Sequence, residues 1–590
     1  MEVKKELKES LKKIKRKLIV IGICLIFLGC CSLIKQREEI AEQKAFDQYL
    51  LSFFKENAAS NEITLHYLLE NPEKYGIKNG KELYPYLDIE SLANEKIKIS
   101  KEIKQLKNFK QGKLTKKQKD TYKVLMDYLK RQKKVAMYPY YERILGKTSG
   151  QQAQILLTLG EYRLKNEKDI KLYFQLLNGM EHYFDSLINY SKEQIKRNLF
   201  LSDESLKDVL KQIQSVIDKK QENMLVATFN LRISEIKGMD AVKKRKYCRE
   251  NKKLVRMQVL PAYEKLYSHL QLLKGNGKNK NGLCYYRNGK NYYEALVSQK
   301  TGSDKNIEKM IDICDESMEK SCNNLIKLQK KYPNITNEYI KSKKNIKIVQ
   351  NPQKTLNKLQ QKMVKYYPKA PKVSCKIKYV HKTMEEYTSP AFYMVPAIDS
   401  YKNNVIYINR AHTEELYPTL AHEGYPGHLY QNVYYAAKED HPLRYLLDYP
   451  GYSEGYATYV EHFSYKMIDA KGYGDIYQKM NMEMYEYDLA LCSRVDLGVH
   501  YEGWTKKNVR EYLGSFGMKK VQADELFQMI IENPANYLSY YIGWKEFQEL
   551  LTYYKNIAGK KYSLKEYHTQ ILDAGPCSFD ILRRRIESNL

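Results

Sequence analysis

At 590 residues and 43% hydrophobic, the chain is longer than one compact core needs and can bury a sizeable interior. Only 16 Pro and 28 Gly interrupt abundant Lys, Glu, Leu and Ile, which favours long helices over a multi-strand sandwich. The net charge of +30 suits a nucleic-acid binder, but Lys is scattered among Glu, with no zinc knuckle, RNA-binding signature or continuous basic helix, so no nucleic-acid partner is expected.

The chain opens with a Lys/Arg-rich stretch followed by an uncharged run, Leu18 to Ile34. This is the layout of an export signal or an N-terminal anchor with its basic end inside. As a helix the run spans about 25 Å, slightly short of a hydrocarbon core. Phe27-Leu28-Gly29-Cys30 resembles a bacterial lipoprotein cleavage box, with Cys30 as the lipidated residue. Phe27 and Leu28 depart from that pattern, so an uncleaved anchor stays open. Both readings expect residues 35–590 on the extracytoplasmic face of the cell membrane.

Residues 35–270 read as successive amphipathic helices and form a predicted N-terminal lobe. In Ile155 to Tyr162 and in Leu206 to Ile217 apolar residues recur at three and four. A Gly- and Asn-rich stretch marks a junction at 271–300, with Asn288-Gly289 as its turn signal. Residues 301–590 are the expected catalytic lobe. There, Val405 to Asn409 reads as a short strand and Tyr417 to Tyr435 as a helix. The seven Cys beyond the N-terminal run are odd in number and form no Cys-x-x-Cys, so neither a disulfide framework nor a thiolate metal site is indicated.

The chemistry concentrates in His422-Glu423-Gly424-Tyr425-Pro426-Gly427-His428. A zinc peptidase needs two neutral imidazoles on the metal and a carboxylate beside the reacting water. Its usual spacing is His-Glu-x-x-His, because i and i+4 share a helix face. Here the second His stands at i+6, about 240° round an unbroken helix. Pro426 and Gly427 predict an interruption that brings His428 back. Further on, Glu454 and Glu461 are seven apart and share one helix face. That spacing lets one bind metal while the other orients a ligating imidazole. His412, His441 and His462 read as structural.

The ordered motifs resemble the bacterial domain-of-unknown-function family 885, a relative of the gluzincin peptidases. They are His422 to Gln431, Glu454-Gly455-Tyr456-Ala457-Thr458-Tyr459-Val460-Glu461, Arg494 to His500 with Gly503-Trp504-Thr505, Tyr540-Tyr541-Ile542-Gly543, and Tyr567-His568. The resemblance implies a mainly α, two-lobed helical zincin (gluzincin-like) with a small β element beside the active-site helix. It implies zinc as cofactor, held by His422, His428 and Glu454, and hydrolysis of a peptide substrate by a metal-activated water with Glu423 as general base. Tyr540 and His568 are the expected electrophilic helpers. Glu461, Arg494, His500 and Asn409 are expected around the ligands or the substrate, and the strand at Val405 to Asn409 is expected to pair with the extended substrate. Arg494 and Asp496 are also open to reading as a structural ion pair. The main departure is Leu429, where the family carries a second adjacent His. It motivates an alternative, a catalytically degenerate zincin-like protein that binds peptide or cell-wall material.

Overall fold

The computed structural model describes residues 2–589 except 148, 220–222, 346–350, 383–384, 386–387, 412–415, 439–440 and 469–473, and gives no side-chain account of 2–10, 22, 24–31, 342–345 and 474. The chain is mainly helical with one small three-stranded sheet. It begins with a continuous helix, Glu2–Ala58. Phe46, Leu50 and Phe54 on its last turns enter the core, whereas Leu18 to Ile21 are exposed. Among the described residues no helix is long and apolar enough to cross a membrane.

The amphipathic segments of the N-terminal half are helices, among them Gln151–Gly160 and Asp203–Asp218. Ser202 caps the second by accepting from Ser205 N–H. The Asn288-Gly289 signal marks a helix start: Asn288 sits in the left-handed region at φ 57°, and the Gly289–Thr301 helix follows. The buried apolar residues form one cluster from Phe46 to Ile586. Polar contacts tie the two halves together. Arg131 Nη2 meets Asp304 at 2.7 Å, Tyr449 O–H donates to Val124 O at 3.0 Å, and Tyr407 O–H donates to Glu161 at 2.7 Å.

The sheet has the order β1-β3-β2. β1 (Ser374–Tyr379) runs parallel to β3 (Asn403–Ile408), and β2 (Ala391–Met394) runs antiparallel to it. This corrects the expected role of Val405 to Asn409. That strand exists, but β3 is the central one, with its backbone paired on both sides and Ile406 and Ile408 fully buried. It has no free edge for a substrate. The edge strand that contacts the His422 helix is β2. Apolar, β-branched composition finds the most buried strand, which is the middle one.

Two helices set the geometry that follows. Pro450–Ser464 and Asn536–Ala558 cross with glycines at the contact. A methyl on Gly455 would lie 2.4 Å from the Gly543 carbonyl carbon, and one on Gly543 would lie 2.2 Å from Gly451 O. These are backbone obstacles that cannot rotate away. The close approach brings Glu454, beside Gly455, opposite Tyr540, one turn before Gly543. Gly543→Ala is therefore expected to destabilise the protein by about 1–3 kcal/mol or more. A lowered midpoint in urea unfolding checks this, and an unchanged midpoint contradicts the contact.

Candidate metal centre

The first imidazole lies at the end of the Leu416–Glu423 helix, and the second opens the His428–Ala436 helix. Between them the helical ladder stops. The Tyr425–Pro426 peptide is cis, and Gly427 takes φ −82°, ψ −138°. A Cβ on Gly427 would stand 1.8 Å from His422 O, so only glycine lets the chain fold back over the end of the first helix. The reversal sets His428 beside His422, with ring centroids 4.8 Å apart and planes at 81°.

Glu454 arrives from the Pro450–Ser464 helix, which packs on the first. Its Oε2 lies 3.6 Å from His422 Nε2 and 3.4 Å from His428 Nε2. One ligand atom from each residue falls within 4.8 Å of the others. The two carboxylate distances are longer than a charge-assisted hydrogen bond, roughly 2.7–2.9 Å. They match the edge of a tetrahedron whose corners lie about 2.0–2.2 Å from a common centre, which is roughly 3.3–3.6 Å. Two imidazole nitrogens and one carboxylate oxygen, converging within 4.8 Å, are a donor set that suits zinc. His422 is oriented from behind: its Nδ1–H donates to Glu461 Oε2 at 2.8 Å, which leaves Nε2 for the centre. Tyr485 O–H donates to the same Glu461 oxygen at 2.7 Å.

Burial disfavours the charged forms here, and the partners outweigh it. Burial works to raise the Glu454 carboxyl, but His422 and His428 hold it well below the usual carboxylate range. Burial works to lower His422, but Glu454 and Glu461 raise it well above an ordinary imidazole. Glu423, next to His422, lies against the sheet: Tyr393 N–H, on the outer edge of β2, donates to its Oε2 at 2.9 Å. The Tyr540 ring lies 6.3 Å from that of His422 at an interplanar angle of 20°. Burial, then the charges of Glu454 and Glu423, push its phenol up, so it remains a hydrogen-bond donor.

The sequence profile for bacterial proteins of unknown function called DUF885 matches residues 73–586. The chain belongs to the DUF885 family. Its fold is similar to that of a candidate lipoprotein from Colwellia psychrerythraea, at a TM-score of 0.79 and 17% identity over 94% of this chain and 99% of that one. A candidate lipoprotein of unknown function from Shewanella oneidensis is similar at a TM-score of 0.59 and 15% identity, covering 85% and 93%. No curated protein matches the chain.

Several residues expected at the centre of this DUF885 chain lie elsewhere. His568 is fully buried, with Nδ1 bonded to Tyr366 O at 2.7 Å and Nε2 to Tyr459 O–H at 2.8 Å. Both nitrogens are engaged and the ring stacks on Tyr367 at 4.0 Å, so it sits in the core, away from His422 and Glu454. His500 is also fully buried: Nδ1 accepts from Leu283 N–H at 3.1 Å and Nε2 donates to Ile530 O at 3.0 Å, which clamps the junction turn. Arg494 pairs with Asp315 and Glu502 and stacks on Trp504. It does not pair with Asp496, because residues two apart on a helix diverge. Asp496 instead accepts from Tyr293 O–H and Ala535 N–H. Asn409 ties its own loop, with Nδ2 donating to Glu385 O and Thr388 O. Leu429 is fully buried in the core, so it is His428 that faces Glu454. His462 is half-buried against Trp544 and His441 accepts from Leu443 N–H; His412 lies outside the described residues. Sequence reasoning missed Tyr393 and Tyr485. The four-residue β2 is too short to signal itself, and one tyrosine among 54 carries no mark.

The two buried imidazoles give a pH prediction. Burial lowers His568 to about 4 and His500 to about 3, from 6.5. Below pH 6.5 the unfolded chain therefore binds more protons than the folded one, and stability falls as pH falls toward 4. We expect the melting temperature to drop across that range. His568→Asn should lower it at pH 7 and make the fall shallower. A parallel fall in both proteins contradicts the assignment.

Proposed function

We propose that this DUF885 protein is a zinc-dependent metallopeptidase held on the extracytoplasmic face of the cell membrane. The observation that carries the reading is the convergence of His422, His428 and Glu454, with Glu454 Oε2 3.6 and 3.4 Å from the two imidazole Nε2 atoms and Glu423 beside them against a strand edge. In this reading residues 35–270 and 301–590 are two helical lobes flanking a gluzincin-like cleft, joined at 271–300. The uncharged run from Leu18 to Ile34 and the lipoprotein descriptions of two structural relatives support attachment, with Cys30 as the lipidated residue.

A zinc ion at this centre supplies Lewis acidity, which acidifies water and polarises a carbonyl oxygen. The chain's own groups do the rest. Glu423 takes the proton of the attacking water and later delivers it to the leaving amine. Tyr393 N–H fixes one of its oxygens and leaves the other for that transfer. Tyr540 O–H donates to the oxyanion as the carbonyl becomes tetrahedral. Glu461 and Tyr485 hold the His422 ring so that Nε2 stays aimed at the centre. The outer edge of β2 offers its backbone to an extended peptide.

Glu423→Gln tests the reading. Zinc content, measured by elemental analysis of the purified protein, should stay at the wild-type level. Peptide turnover should fall by roughly 10²–10⁴-fold, the usual range for loss of a general base. Full activity in that variant would remove Glu423 from the chemistry. Tyr540→Phe should lower kcat with little change in KM, because the hydroxyl meets only the tetrahedral species. A change confined to KM would assign Tyr540 to substrate binding instead.

A further inference from the structure

A cavity of about 660 Å³ is lined by neighbours of the residues at the candidate metal centre. Ser453 precedes Glu454, Gln431 and Asn432 stand one helical turn beyond His428, and Tyr393 bonds Glu423. Its size falls within the roughly 300–1,000 Å³ of ligand pockets. The walls are largely apolar, built by Leu68, Phe392, Met394, Val395, Leu447 and Tyr452. One polar group there is incomplete. Gln431 is only 7% exposed, and its Nε2 is buried with no hydrogen-bond partner among the described residues. A buried amide without an acceptor costs about 1–3 kcal/mol. Arg444 and Asp448 line the same cavity with opposite charges, so the walls carry no net charge that would select a charged occupant.

We propose that this cavity is the side-chain pocket of the peptidase, which selects a bulky, uncharged apolar residue near the scissile bond while Gln431 Nε2 donates to a backbone carbonyl of the substrate. The proposal rests on the peptidase reading and deepens it by naming the substrate class. A peptide lying along the edge of β2 passes the cavity mouth, because Phe392, Tyr393 and Met394 belong to both. A single aromatic side chain leaving water for these walls gains affinity in proportion to the area it buries.

The test uses the full chain, zinc-loaded in detergent, in its Glu423→Gln form so that peptides stay intact. The probes are fluorescein-labelled octapeptides, an all-Ala parent and a series with one Phe walked along it, read by anisotropy. One Phe position should tighten binding roughly tenfold or more over the parent. Val395→Trp and Thr64→Trp each add bulk at a residue that lines the cavity. Val395 is 54% exposed, and circular dichroism checks that both variants fold. In each, the Phe gain should collapse to less than about twofold. Gln431→Leu should weaken the parent and the Phe peptide by the same factor, since it reads the backbone. If no Phe position gains, or the gain survives both Trp substitutions, the pocket proposal is wrong. Turnover by the wild type without a Phe gain removes the pocket and leaves the peptidase reading. A Phe gain without wild-type turnover does the reverse, and absence of both removes both.

Discussion

Two imidazoles six residues apart can share one metal only where the helix between them is broken. The arrangement of the centre follows from that constraint. The break places Glu423 at a helix end, where its carboxylate can turn toward the sheet and meet Tyr393 N–H. It makes glycine obligatory at position 427, because the returning backbone passes directly over His422 O. It also starts a new helix at His428, whose next turn carries Gln431 and Asn432 to the cavity wall. An unbroken helix would send those side chains elsewhere.

The centre gathers charge in the interior. Glu454, Glu461 and Glu423 gather around two imidazoles in a largely buried setting, where burial works against the charged forms of Glu454 and His422. The carboxylates and imidazoles offset that cost mutually, but the Glu454 distances of 3.4 and 3.6 Å are too long for good charge-assisted bonds. The crossing at Gly455 and Gly543 fixes the Pro450–Ser464 helix, which carries Glu454, against the helix that carries Tyr540, and the Pro450–Ser464 helix also packs on Leu416–Glu423. Tyr540, on the same crossing, stays protonated because burial and two carboxylates oppose its ionisation.

Much of this was legible in the residues. The Pro426-Gly427 interruption and the seven-residue spacing of Glu454 and Glu461 are local patterns with local physical meanings. The helical character of the first half followed from three-and-four periodicity. What the residues could not convey was tertiary. His568 and His500 carry the same ring as His422, and only packing engages both of their nitrogens with core partners. The partner of Arg494 was hidden because Asp315 lies far away in the chain. The strand at Val405 was found, but strand composition does not reveal which neighbours pair on either side.

The central claim is that His422, His428 and Glu454 hold one zinc ion. Diffraction recorded on both sides of the zinc absorption edge, from crystals of the zinc-loaded chain, tests it most directly. The account predicts one anomalous peak about 2.0–2.2 Å from His422 Nε2, His428 Nε2 and Glu454 Oε2. Zinc bound only elsewhere in the crystal, or no peak between these three residues at saturating zinc, would contradict it.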